Sequence, residues 1–386
     1  MKKKYLALFI AATLVFSSVS VFGETSSAAA SDTTETSAKA QSLWNKYTSY
    51  ITVDSDSSLE TLTLSQATEK AIRNSSSINK TSASINLTDT TLESSYNSAM
   101  AGDEDGGFSS LISFINSKTN YENSQTNLEA QKAKLENSVK SSYISLIEDQ
   151  RTIELLKMNI ALESKNIAIS KAKYGFGKIS QSDLTAAEKT YEDDQKTLSN
   201  KQSALDKDYE ALNILIGAAT GTRYNFVYEP EFEAFELTVP VDSYIKGKVA
   251  LSNSVVQAKK TYETTQQTTS LSVISNSEVG GYQSAQNSLN SAKMSYEDSQ
   301  NTAYQSLLSE YNQCMENEKS YQSNIDQLQI LKDTLARTET NYANGRATSI
   351  DVEQAKYNVA NLENTIISQV YSHMLLVDEL TDTNLM

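Results

Sequence analysis

Val139, Leu146, Ile153, Ile160, Ile167 and Tyr174 stand seven residues apart, in a stretch from Tyr121 to Tyr174 that nothing breaks. Leu135, Ile144, Leu155, Leu156 and Leu162 widen this ladder into an apolar face. A seven-residue apolar repeat held for this long imposes a left-handed supercoil against neighbouring helices. At 1.5 Å per residue the stretch predicts a helix about 80 Å long, against about 11–12 residues for an ordinary globular helix. A second ladder, Leu307, Cys314, Tyr321, Leu328, Leu335 and Tyr342, repeats the pattern in the other half of the chain. The expected fold class is therefore all-α, built from two tandem repeats of long antiparallel coiled-coil helices. Two prolines and 12 glycines among 386 residues agree, because an all-β chain spends both on turns.

The two ladders end on the same motif. "KYGFGKISQSDLTAA" (Lys173 to Ala187) returns as "NYANGRATSIDVEQA" (Asn341 to Ala355), sharing Y-x-x-G-[KR]-x-[ST]-x-x-D-[LV]-x-x-A. Gly177 and Gly345 stand where a helix ends and can take the left-handed conformation that closes its last carbonyls. Ser180 and Thr348 are N-caps, and Asp183 and Asp351 occupy the capping-box position in the positive first turn of the next helix. Lys171, Lys173 and Lys178, with Arg337 and Arg346, suit the negative end of the incoming helix. The motif encodes a tight reversal. The candidate site residues are its two copies: Tyr174, Gly177, Lys178, Ser180 and Asp183, then Tyr342, Gly345, Arg346, Thr348 and Asp351. At a minimum these are hairpin turns. Two such tips at one end could also dock a partner or ring an opening with carboxylates, which would favour cations or hold a gate through salt bridges.

The rest of the chain sorts around these repeats. Residues 1–23 read as a cleaved signal peptide: Lys2, Lys3 and Lys4, an apolar run from Tyr5 to Phe16, then small residues ending at Gly23. A later cleavage site at Ala28 to Ala30 and an uncleaved anchor are the alternatives, although the run is shorter than the roughly 20 residues a membrane span needs. Residues 24–60 form a Ser/Thr-rich leader, expected to be mostly disordered, in which Leu43, Trp44, Tyr47, Tyr50 and Ile51 could dock locally. The first repeat covers 61–216, opening on a helix capped by Thr63 or Ser65 and running to about Met100. The connector, 217–242, holds Pro230 and Pro240, with "YNFVY" and "FELTV" as short strand candidates. The second repeat covers 243–386. "AIRNSS" (Ala71 to Ser76) also resembles "ALSNSV" (Ala250 to Val255), a weaker match.

Composition excludes several functions. A net charge of −15 disfavours nucleic acid, whose phosphates call for a basic face. Cys314 is the only cysteine and is expected in packed core; it can form no internal disulfide. His373 is the only histidine, which removes most histidine-based catalysis and counts against a zinc site. No catalytic, cofactor or metal residues are expected, and the charge runs read as solvated helix faces.

Two repeats that each end in this Y-x-x-G…D-[LV] reversal resemble the outer-membrane efflux protein (TolC) family, over about Thr61 to Met386. The likeness is best at Tyr174, Gly177, Ser180, Asp183 and Leu184, and at Tyr342, Gly345, Thr348, Asp351 and Val352. It implies a homotrimer whose twelve helical struts close an α-barrel, with the tips docking a periplasmic-type adaptor (membrane fusion) protein. It also implies export from a membrane pump or an ABC-type secretion transporter, in the cell envelope and without a cofactor. In the family the second tip carries acidic gate residues; Asp351 matches one, whereas the position three residues on is Gln354. The family also inserts two membrane β-strands per repeat, each about 9–11 residues long. The corresponding segments, Ala101 to Asn120 and Ser270 to Ala285, accommodate neither pair, so the barrel is expected to be missing or vestigial. A partial apolar collar from Phe108 to Ile115 would remain. The alternative function is a coiled-coil spacer of the envelope without a lumen.

Overall fold

The structure is a computed structural model that describes residues 50–51, 53, 57–101, 107–227, 232–275 and 279–385. The signal peptide and nearly all of the leader lie outside these residues. Among the described residues the first repeat consists of α1 (Leu64–Asn74), α2 (Ser76–Ala101), α3 (Gly107–Gly175) and α4 (Gln181–Ile216). The second consists of α5 (Val241–Leu251), α6 (Asn253–Ser275), α7 (Val279–Ala343) and α8 (Ser349–Thr381). The only strands among them, β1 (Thr61–Leu62) and β2 (Asn225–Phe226), pair in parallel. The "YNFVY" candidate thus contributes one short strand, and "FELTV" contributes none.

Helix α3 runs for 69 residues and α7 for 65, about 100 Å each at 1.5 Å per residue. Both ladders point where the sequence put them. Val139 and Leu146 are fully buried, as are Leu307 and Cys314 to within one per cent, while the last rungs, Tyr174 and Tyr342, reach solvent. The packing order makes a single row. The pair α2 and α4 lies along α3, α3 lies against α6 and α8, and these lie against α7. Burial follows that order: α3 and α8, inside the row, bury side chains on opposite flanks, whereas α2 and α4 at its edge bury few. Ion pairs between neighbours fix the register, among them Lys140–Asp378, Lys165–Glu353 at 2.5 Å, Lys201–Asp149 at 2.5 Å and Lys332–Glu363 at 3.1 Å.

The helix expected to run unbroken to about Met100 is in fact two. Thr63 and Gln66 form the capping box that opens α1, and Ser75 leaves helical geometry at ψ 107°. The reason is competition for backbone groups by short polar side chains. Asn74 Nδ2 donates to Lys70 O at 2.9 Å and to Ile216 O, at the end of α4, at 2.7 Å. Ser75 Oγ then accepts Ile78 N–H at 3.3 Å, which restarts the chain as α2. The second repeat breaks at Ser252, just before the matching asparagine, which bonds across in the same way. Asn253 N–H donates to Thr383 O at 3.3 Å and its Nδ2 to Asn384 Oδ1 at 3.1 Å, just beyond α8. The weak "AIRNSS"/"ALSNSV" similarity is therefore a duplicated joint, where two shorter helices meet end to end beside a long one.

The connector closes over the middle of the row. Tyr143 of α3 donates to Leu62 O at 2.6 Å and accepts Val227 N–H at 3.0 Å, tying both short strands to the long helix. Phe226 meets Tyr143 edge to face at 4.8 Å, and Phe232 stacks on Tyr321 at 3.8 Å. From the leader, Ile51 buries against Leu155 and Ala360, which is the local docking its sequence suggested.

At the end opposite the reversals the described residues are helical. Residues 107–120 belong to α3, and 270–275 and 279–285 to α6 and α7. Leu111 of the expected collar is buried, and Phe114 packs against Tyr96 at 5.5 Å. Among the described residues no helix is long and apolar enough to cross a membrane.

Candidate functional site

The two reversals have the same bonds. Helix α3 ends in a Schellman closure: Gly177, at φ 67°, donates to Tyr174 O at 2.8 Å, and Lys178 N–H donates to Lys173 O at 2.8 Å. Helix α7 ends likewise, with Gly345 at φ 70° donating to Tyr342 O at 2.9 Å and Arg346 N–H to Asn341 O at 2.8 Å. Positive φ is the conformation that glycine reaches without a Cβ penalty, and it satisfies carbonyls that a helix end otherwise leaves open. Three residues later Ser180 and Thr348 start α4 and α8. Asp183 Oδ2 accepts Ser180 N–H at 3.0 Å and the Ser180 hydroxyl at 2.8 Å; Asp351 Oδ2 accepts the same two groups of Thr348 at 2.7 and 2.8 Å.

These bonds hold both carboxyls below the ordinary Asp value of 3.8, the backbone N–H contributing most and the hydroxyl next. The sign follows from linkage: a depressed folded pKa contributes stability above 3.8, and that stability is lost as pH falls through the folded value. Amide hydrogen exchange at the first turns of α4 and α8 is therefore expected to accelerate as pH drops below 3.8, after correction for intrinsic rates. Asp351→Asn should produce that loosening of α8 already at neutral pH. Unaltered protection in both tests would show that the carboxylates do not hold the turns.

The tips lie together. Lys165, in the last turns of α3, reaches Glu353 near the start of α8 at 2.5 Å, so the two reversals share one end of the row. Each hairpin is braced on its own, by Lys171–Glu188 at 3.3 Å and Lys356–Glu339 at 3.7 Å. Leu184 and Val352, the apolar position of the motif, are its buried anchors. Lys178, Ser180, Asp183, Arg346, Thr348 and Asp351 all face solvent, as do Tyr174 and Tyr342. The copies differ at one conspicuous position. Phe176, which is 81% exposed, caps the first tip where the second has Asn344. An aromatic side chain projected into water from a rigid turn is the kind of anchor that protein interfaces use; the sequence showed the Phe but not its projection.

A scan of the sequence against protein-family models finds no match, and neither does a search of curated proteins. Solved structures do match. The outer membrane protein VceC from Vibrio cholerae superposes with a TM-score of 0.59 at 13% identity, over 82% of this chain and 95% of that one. The CmeC outer membrane channel of Campylobacter jejuni gives 0.58 at 12% identity, over 83% and 85%. A membrane protein from Pseudomonas aeruginosa gives 0.65 at 11% identity, over 88% and 92%. The chain has the fold of the TolC-type outer-membrane efflux channels. Its described residues are almost wholly helical, without strands in the described parts of 101–120 and 270–285.

Proposed function

We propose that this protein is a non-enzymatic export conduit of the cell envelope, in which three copies close a helical tunnel. The observation that carries the reading is the single row with two open edges. Among the described residues the row does not close on itself; α7 at one edge and the α2/α4 line at the other are flanks that a neighbouring copy can complete. Four struts per copy make twelve in a trimer, the number the resemblance implies. The shared end with its two reversals then forms a ring of six tips, and Tyr174, Phe176, Lys178, Tyr342 and Arg346 are the side chains it offers to a membrane-fusion adaptor. Through that adaptor the conduit would receive cargo from a pump or an ABC-type secretion transporter. Asp351 would contribute carboxylates at the mouth, a ring that favours cations. The signal peptide would place the mature chain outside the inner membrane. Imaging of the purified mature protein by electron microscopy tests this: particles should show an axial opening when viewed end-on. Solid rods would instead identify an envelope spacer.

A further inference from the structure

We infer that Cys314, Glu318 and His373 form a binding site for a transition-metal dication of zinc type. The chain has one cysteine and one histidine, and the fold brings them to the same place on two helices. Their donor atoms, with a carboxylate oxygen of Glu318, all lie within 4.8 Å of one another. A sulfur, an imidazole nitrogen and a carboxylate oxygen together match the ligand set of a borderline-soft cation.

The placement is a departure from a regular seam. On α8, Val352, Val359, Ile366, His373 and Leu380 stand seven apart, and all are buried. They oppose the α7 ladder, in which Cys314 occupies a rung. Every other rung of both helices holds an apolar or aromatic side chain, so the one polar rung is His373, opposite the thiol. Cys314 is 0% and His373 3% exposed, and Glu318, one turn from Cys314, is half-buried.

The surroundings are those of a supported ligand. Glu318 Oε1 lies 2.9 Å from His373 Nε2, a contact that a bound cation would replace, and accepts Phe235 N–H at 2.6 Å; the bond from the connector backbone orients the carboxylate toward the site. Phe232 covers the imidazole at 4.6 Å. In a tetrahedral zinc site neighbouring donors stand roughly 3.5 Å apart, so donors within 4.8 Å of one another close by small side-chain rotations, with the fourth position left to water. A bound cation would also strap the connector, through Phe232 and Phe235, to the seam between α7 and α8.

Titration of the purified mature chain with Co2+ tests the site. The expected result is one Co2+ per chain with an intense near-ultraviolet thiolate-to-cobalt band, displaced by Zn2+. Cys314→Ser should remove the band, and His373→Gln should weaken Co2+ binding by about tenfold or more. Zn2+ should raise the unfolding midpoint of the wild type but not of Cys314→Ser, since only a native-state site couples metal to folding. Circular dichroism verifies that each variant is helical; should Cys314→Ser be unfolded, the wild-type band and His373→Gln decide. Absence of the thiolate band in the wild type, a band that survives Cys314→Ser, or unchanged Co2+ affinity in His373→Gln overturns the assignment.

Discussion

Gly217→Val is expected to destabilise the protein by about 3 kcal/mol, read as a lower guanidinium midpoint with an unchanged slope. Gly217 closes α4 at φ 68°, and a Cβ built there would stand 2.6 Å from Asn74 Cγ. Two costs add. A β-branched residue in the left-handed region loses at least 1–2 kcal/mol, on the order of the penalty for any L side chain there. Displacing Asn74 also breaks its bond to Ile216 O, worth about 1 kcal/mol. Gly217→Ala, which keeps a smaller side chain but the same clash, should fall between the two. A midpoint unchanged in Gly217→Val would mean that the joint between α1, α2 and α4 is not held as described.

Tyr143→Ala should cost more, about 3–5 kcal/mol, the range for removing a buried aromatic side chain. Tyr143 is fully buried in the central core with Leu62, Val139, Leu146, Tyr209 and Leu212. Tyr143→Phe separates packing from hydrogen bonding: it keeps the ring but leaves Val227 N–H and Leu62 O without the hydroxyl, at about 1–3 kcal/mol. The phenol also sets an alkaline limit. Burial pushes its pKa from 10.0 up to about 12, so its contribution is complete below pH 10.0 and lost as pH climbs toward 12. Denaturant melts at a fixed protein concentration check all three statements. Equal losses in the Ala and Phe variants would assign the whole effect to the hydroxyl and contradict the packing argument.

Periodicity made the long helices legible, because a ladder such as Val139–Leu146–Ile153 identifies the buried face without knowledge of what covers it. The reversals were legible for a different reason: their bonds are local, so Gly177, Ser180 and Asp183 announce the turn within a few residues. What the sequence withheld is non-local. The break at Ser75 lies in a good amphipathic stripe, and what makes it a break is a carbonyl 142 residues away. The second seam, on α8, is hidden in the sequence because His373 interrupts it. The seven-residue period nevertheless runs through that residue, from Val352 to Leu380, and places the histidine opposite Cys314. The exposure of Phe176 has no sequence signal beyond its apolar character beside a glycine.

The central claim is that the row of struts closes only by joining copies of itself. The mass of the purified mature chain in solution, by light scattering behind size exclusion, tests it most directly. The account predicts three chains per particle. A monomeric particle, or a stable pair, would contradict it, because neither one row nor two can complete a ring of twelve struts.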